Sequence, residues 1–224
     1  MVKCYIGRYD NMKTVVYLIR HSEKYKRFIN IDNNDSFQLC NEKIILSNEG
    51  EEKAKKLSEI EELSNIDIVI ASNYVRSIQT ARYIADRNNK DIFIMDGFGE
   101  RKIGTNSIEE YPKDFELKQY FDDSYKLPKG ESKIEVIDRT YKSLLSVLNF
   151  YKGKRAAIVS HGTAISFLLS KWCDVNPVNI DGNKFDIDIK YKDKEIFTGK
   201  IGAPEVFKLT FNDEEILDIE NIRY

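Results

Sequence analysis

Histidine is almost missing from this chain: His21 and His161 are the only two in 224 residues. Cysteine is scarce as well. Cys4, Cys40 and Cys173 are odd in number, far apart and without a Cys-x-x-Cys pair. That pattern argues against a disulfide frame and for thiols in a reducing compartment. It also argues against zinc, because two histidines would need cysteine or carboxylate partners at ligand spacing. No apolar run approaches the roughly 20 residues that a membrane-spanning helix requires. The first residues contain no run that could form a signal-peptide core. Charge of one sign is not in excess, since the formal net charge is −2. A general pull toward nucleic acid or an anionic membrane surface is therefore not expected. Internal repeats and low-complexity tracts are absent. What remains is a cytoplasmic protein, long enough to bury a large core, with residues 1–224 expected to form a single domain.

Both histidines end apolar runs. Thr-Val-Val-Tyr-Leu-Ile, from Thr14 to Ile19, reads as a strand buried on both faces, and it stops at Arg20-His21. Arg-Ala-Ala-Ile-Val-Ser, from Arg155 to Ser160, is a second apolar run and stops at His161-Gly162. In open α/β sheets, chemistry gathers at the carboxyl ends of strands. Two such ends therefore carry the chain's whole supply of imidazole.

The remaining elements follow in order. Residues 1–13 are ambiguous: Val2 to Ile6 reads as a short extra strand, or the native start lies at Met12. Residues 23–45 read as a polar loop folding over the site. Its Asp32-Asn33-Asn34-Asp35 cluster is a solvated turn, without the glycine and distal glutamate of a calcium loop. Ser47 caps a helix over 48–62. Residues 66–71 form a strand, 74–87 a helix and 91–95 a third strand. Residues 101–129, rich in Tyr, Phe and Lys, form an irregular or partly helical cap. Residues 131–151 form a long amphipathic helix, and Thr163 to Trp172 another. Phe185, Ile187, Ile189 and Tyr191 alternate as an edge strand, and 206–211 and 216–222 add antiparallel strands. The predicted fold class is α/β, a three-layer αβα sandwich around a mostly parallel central sheet.

Right-handed crossovers bring the strand ends to one rim. That rim collects Arg20, His21, Arg76, Glu100 and His161. Two guanidinium groups can grip a phosphate through forked, charge-assisted bonds. A neutral imidazole can attack phosphorus if its other nitrogen donates to a fixed acceptor. A carboxylic acid can protonate the leaving oxygen. The guanidinium groups supply the positive field that a divalent ion would otherwise provide. The set reads as phosphoryl transfer with no metal and no cofactor.

The ordered motifs resemble the histidine phosphatase superfamily, the group that includes the cofactor-dependent phosphoglycerate mutases. Leu18-Ile19-Arg20-His21 is similar to that family's leading Arg-His-Gly motif. Leu46-Ser47 with Gly50 and Ala54 is similar to its Leu-Thr-x-x-Gly helix start. Ser72-x-x-x-Arg76-Ser77-x-Gln79-Thr80-Ala81 resembles its second arginine motif, and Glu100 with Gly104 sits where the family places its acid. Gly130-Glu131-Ser132 with Arg139, and Val159-Ser160-His161-Gly162, complete the series. The resemblance implies a phosphoglycerate mutase-like fold with a cap insertion at about 101–129. It implies that His21 carries a phosphohistidine, that Arg20, Arg76 and His161 bind the phosphoryl oxygens, and that Glu100 is the proton donor. The backbone N–H of Gly162 at a helix start would add an anion contact.

Three residues depart from the family pattern. Ser22 replaces the motif glycine, which implies either backbone strain at φ > 0 or a new hydroxyl donor to phosphate. Lys24 and Arg27 stand where other members carry small or amide side chains, and they are expected to add positive charge at the pocket mouth. Arg101 alone supplies an arginine in the cap, whereas the family's mutases hold a substrate carboxylate with paired arginines. The expected function is therefore hydrolysis of small phosphomonoesters. Mutase-type transfer is the second reading and a non-catalytic phosphate-binding module the third. Gly97-x-Gly99-x-x-x-x-Gly104 has the wrong spacing for a dinucleotide loop. The expected partner is a small phosphorylated substrate, with no nucleic acid and no membrane. The carboxyl-terminal strands leave room for a homodimer.

Overall fold

A computed structural model describes residues 13–26, 35–106 and 110–224. Arg27, the strand suggested at Val2 to Ile6 and most of the Asp32–Asp35 cluster lie outside the described residues.

The main sheet has six strands: β1 (Thr14–Arg20), β2 (Ile68–Ala71), β3 (Ile92–Ile94), β4 (Arg155–Ser160), β8 (Glu205–Asn212) and β9 (Glu215–Ile222), in the order β3-β2-β4-β1-β8-β9. The first four strands in that order are parallel, and β8 and β9 run antiparallel. β1 lies between β4 and β8, paired with Ala156 to Ser160 on one side and with Val206 to Phe211 on the other. A strand so enclosed must be apolar on both faces, as this one is.

Side chains alternate across the sheet. Val16, Leu18, Ile70 and Ile158 point to one face, where Leu144, Val147 and Leu148 of α5 (Lys133–Phe150) and Ile165 and Leu168 of α6 (Gly162–Leu169) cover them. Tyr17, Ile19, Val69 and Val159 point to the other, against Leu57 of α2 (Asn48–Ser58) and Ala81, Ile84 and Ala85 of α3 (Val75–Asn88). The three-layer αβα architecture follows. Ser47 caps α2 as the sequence suggests, accepting from the Gly50 N–H at 3.0 Å. Ser132 and Glu135 form a capping box at the start of α5.

Two elements differ from expectation, the polar stretch and the alternating run, whereas the cap is partly helical as the sequence suggests. The polar stretch 23–45 contains a short helix, α1 (Phe37–Lys43), capped by Ser36. The cap contains one helix, α4 (Phe115–Phe121), and no other regular element among its described residues. The alternating run near Ile187 is not an edge of the main sheet. It is β6 (Lys184–Tyr191), the middle of a separate antiparallel sheet with β5 (Asp174–Asp181) and β7 (Lys194–Gly199). This small sheet lies beside α6. Its Ile187, Ile189, Ile196 and Phe197 join the core that contains Phe207, Leu209 and Phe211 of β8. No helix among the described residues is long and apolar enough to cross a membrane.

Candidate active site

The parallel pairing of β1 and β4 fixes the two imidazoles relative to each other. Arg20 pairs with Ser160, and the His21 N–H continues the ladder to the Ser160 carbonyl at 2.9 Å. His21 and His161 leave adjacent strands at the same level. Their ring centroids are 5.0 Å apart and their planes are inclined at 63°. His21 is 4% exposed and His161 is fully buried.

β2 delivers the third group. Its carboxyl end leads into Ser72 and then α3, whose first turn carries Arg76. The Arg76 Nε donates to His21 Nε2 at 3.0 Å, and Nη2 donates to His161 Nδ1 at 3.3 Å. Nη1 donates to the Asn41 carbonyl of α1 at 2.5 Å. The guanidinium lies over the Tyr74 ring at 4.7 Å, and that ring also packs edge-on against His161.

These bonds settle both tautomers. His21 Nδ1 lies 2.7 Å from the Ser22 carbonyl, so Nδ1 carries the proton and donates it. Nε2 then presents its lone pair to the pocket. In His161, Nδ1 accepts from Arg76, so Nε2 is protonated and donates to Ser72 Oγ at 2.8 Å. Burial, then the charges of Arg76 and Arg20, hold the His21 pKa well below the ordinary imidazole value, against the opposing pull of the Ser22 carbonyl. Burial, with neighbouring His21 and Arg76, depresses His161 in the same direction. A ring that stays neutral is a ring that can act as nucleophile.

This depression has a consequence for stability. Unfolded imidazoles titrate near pH 6.5, about where free histidine does. Below that value the unfolded chain binds protons that the folded chain refuses, so acidification favours unfolding. The contribution is fully present above about pH 6.5 and is lost as pH falls toward the depressed folded values. The slope is up to roughly 1.4 kcal/mol per pH unit for each ring. Denaturant unfolding of the wild type and of His161→Asn across this range measures it. The substituted protein is expected to lose less stability per pH unit, and equal slopes would contradict neutral burial.

Arg20 and Gly162 meet closely. The Arg20 Nη1 donates to the Ile201 carbonyl, and its Nε is buried with no protein partner. A methyl group at Gly162 would lie 3.3 Å from that Nε. Glycine there lets the guanidinium lie against the start of α6. Glu100 stands across the pocket, its Oε1 accepting from the Arg101 N–H at 2.9 Å and the Ala164 N–H at 3.2 Å. Arg139 of α5 fixes the backbone that carries it, donating to the carbonyls of Gly97, Gly99 and Glu100 at 2.9, 3.0 and 3.1 Å. Gly104, at φ +88°, turns the chain so tightly past Gly130 that a side chain would strike its backbone nitrogen at 2.2 Å.

A cavity of about 560 Å³ opens over these groups, lined by Arg20, His21, Lys24, Arg76, Glu100 and Arg101, with Phe37, Ile44, Ile103 and Tyr111 as apolar walls. Lys24 is an exposed residue whose ammonium reaches in. Desolvation and the charges of Arg76 and Arg20 lower its pKa, so it lies within their field. Ser22 does neither of the two things expected of it. Its backbone is not among the residues with positive φ. Its hydroxyl donates to the Gly50 carbonyl at 2.7 Å, and its N–H donates to Thr80 Oγ1. It is fully buried beneath the site and leaves no hydroxyl proton for a ligand. Of the cap aromatics, Tyr111 lines this cavity, whereas Phe115 is core. Arg101, the cap's one arginine, also lines the cavity, a place the sequence did not assign to it. It is 3% exposed, lies over Phe115 and donates to Gln119 at 2.8 Å. Its position directly after Glu100 was the available signal. Among the described residues, no group of three or more His, Cys, Asp or Glu could hold a metal ion.

His161, expected to bind phosphoryl oxygens, is instead fully buried with both ring nitrogens engaged by Ser72 and Arg76. The α/β sheet thus gathers one imidazole, two guanidinium groups and one carboxylate at the pocket, with the second imidazole bonded to Arg76, an arrangement suited to phosphoryl chemistry. The sequence profile of the histidine phosphatase superfamily (branch 1) matches residues 16–188, and the chain belongs to that family. It is an enzyme of this superfamily, with phosphatases and phosphoglycerate mutase-like proteins as relatives. The uncharacterised phosphatase PhoE of Bacillus subtilis (strain 168) is 34% identical over 160 residues, 70% of this chain and 77% of that protein. A probable phosphoglycerate mutase, GpmB of Enterobacter sp. (strain 638), is 31% identical over 164 residues, 69% of this chain and 73% of that one. A solved mycobacterial glucosyl-3-phosphoglycerate phosphatase in complex with inorganic phosphate shares the fold at TM-score 0.63 and 15% identity, over 94% of this chain and 96% of that one.

Proposed function

We propose that this chain hydrolyses small phosphomonoesters through a phosphohistidine on His21. The observation that carries the reading is the His21 ring itself. Its Nδ1–H is committed to the Ser22 carbonyl, so the Nε2 lone pair faces Arg76, which with Arg20 lines the pocket. On substrate binding, Arg76 transfers its Nε–H from that lone pair to a phosphoryl oxygen. Arg20 and the Gly162 N–H bind the other oxygens, His161 positions Arg76 through its Nδ1, and Lys24 adds charge at the mouth. Nε2 then attacks phosphorus. The P–O ester bond breaks, and the leaving oxygen takes a proton from Glu100. Water attacks the phosphohistidine and gives its proton to the Glu100 carboxylate. The P–N bond breaks, phosphate departs, and His21 and Glu100 return to their starting states. The guanidinium groups stabilise the charge on the transferring group by position alone.

Phosphoglycerate mutase-type transfer is the second reading, and the 31% identity to a probable phosphoglycerate mutase favours keeping it. Hydrolysis is preferred because Arg101 is the only arginine of the cap, and it is held by Gln119 and Glu116. The test is incubation with 3-phosphoglycerate and a bisphosphoglycerate primer. Steady phosphate release is expected. Rapid isomerisation with negligible phosphate release would make the enzyme a mutase.

A further inference from the structure

The active-site cavity continues into a second one. A space of about 440 Å³ shares Arg20, Lys24, Glu100, Arg101, Glu116 and Thr163 with the first. Its far wall comes from the small sheet: Asn183 and Lys184 at the turn into β6, and Lys200 and Ile201 after β7. The antiparallel register explains the pairing. Ile187 faces Gly199, so Lys184 and Lys200 emerge at the same end of the sheet. Ile201, next to Lys200, accepts a bond from Arg20, so this wall also orients a phosphate-gripping side chain. The family match ends at residue 188, within β6, so Lys200 and Ile201 lie beyond it.

The charge of this space is one-sided. Five cationic side chains line it against the carboxylates of Glu100 and Glu116. Glu116 faces Arg101 at 3.4 Å, so part of its charge is already met. Lys24, Lys184 and Lys200 have no ion-pair partner among the described residues. A chain with net charge −2 therefore concentrates unmatched positive charge in the space beside Glu100, the group proposed to protonate the leaving oxygen. Such a cleft with low-dielectric walls focuses its field on an incoming anion.

We propose that Lys184 and Lys200, with Lys24, form a second anion subsite for the leaving group, so that the preferred substrates are phosphomonoesters bearing another anionic group, a carboxylate or a second phosphate. This rests on the phosphomonoesterase reading and names its substrate class. The shared chemistry is a compact anion a few bonds from the ester oxygen.

The test uses three compounds of one skeleton length: glycerol 3-phosphate, 3-phosphoglycerate and propane-1,3-diyl bisphosphate. Wild-type kcat/KM for phosphate release is expected to be about tenfold higher for at least one of the two compounds with an anionic tail than for glycerol 3-phosphate, the size that two charge contacts provide. Which of the two gains shows whether the subsite takes carboxylate or phosphate. The exposed pair Lys184→Gln/Lys200→Gln is expected to remove that preference and to leave glycerol 3-phosphate within about threefold. Equal kcat/KM for all three in the wild type, or a preference that survives the double substitution, overturns the subsite. A parallel arm measures Kd for the same compounds by calorimetry on His21→Ala, with and without the lysine substitutions. If no compound is hydrolysed, the phosphatase reading falls, and the Kd ratios alone decide the subsite by the same criteria.

Discussion

Replacing His21 by alanine should lower phosphate release from p-nitrophenyl phosphate by on the order of 10⁴-fold or more, because the covalent route loses its only nucleophile. The expectation depends on the tautomer. Nδ1–H is bound to the Ser22 carbonyl and Nε2 is unprotonated. His161 cannot take over, since its Nε2–H is spent on Ser72 and its Nδ1 receives Arg76. The fold should survive, because the apolar contacts of β1 belong to Val16, Tyr17, Leu18 and Ile19. A circular dichroism spectrum like that of the wild type, together with phosphate binding by calorimetry, separates loss of chemistry from loss of structure. Retention of a tenth of the activity would remove His21 from the reaction.

The second large effect is at Arg76. Alanine there should cost on the order of 10²–10³-fold in kcat/KM, the range found when a preorganised donor to a developing oxyanion is removed. Arg76 bridges both imidazoles and the Asn41 carbonyl, so it aligns the pocket before any anion arrives. Its removal has a second signature. The Arg76 charge is, after burial, the next largest influence depressing the His21 pKa. Without it, the imidazole pKa should move back toward the ordinary value, readable by NMR titration of the ring protons. Lysine should rescue little, because one ammonium cannot match a planar fork that reaches two rings and a carbonyl. Full activity in Arg76→Lys would show that charge alone suffices.

The sequence exposed the sheet and the reacting groups because burial and chemistry leave marks on residue type. β1 and β4 are enclosed on both sides, and their apolar runs end abruptly at Arg20-His21 and His161. Arg76 and Glu100 follow other strand ends on the same rim. The small sheet was mostly hidden. Only β6 alternates cleanly, while β5 holds Pro177 and a largely exposed surface and β7 is six residues long. A lone alternating strand reads as an edge, and its partners carry too few apolar residues to correct that. α1 was hidden for a related reason, since none of its seven residues is buried and no stripe exists to read. The role of Ser22 is not legible in the sequence because its partner is a backbone carbonyl 28 positions away, which no spacing rule reveals. Arg101 lacked a motif, and its value comes from burial over Phe115 beside Glu100. Lys184 and Lys200 gain their meaning only from the cavity they close.

The most direct test is to stop the reaction in alkali within milliseconds of mixing with substrate and to digest the protein for mass spectrometry. A phosphoryl group on the peptide containing His21, stable in base, labile in acid and lost on His21→Ala, is the predicted result. Turnover with an unmodified His21 peptide, or with the phosphoryl group found on another residue, would contradict covalent transfer through that ring.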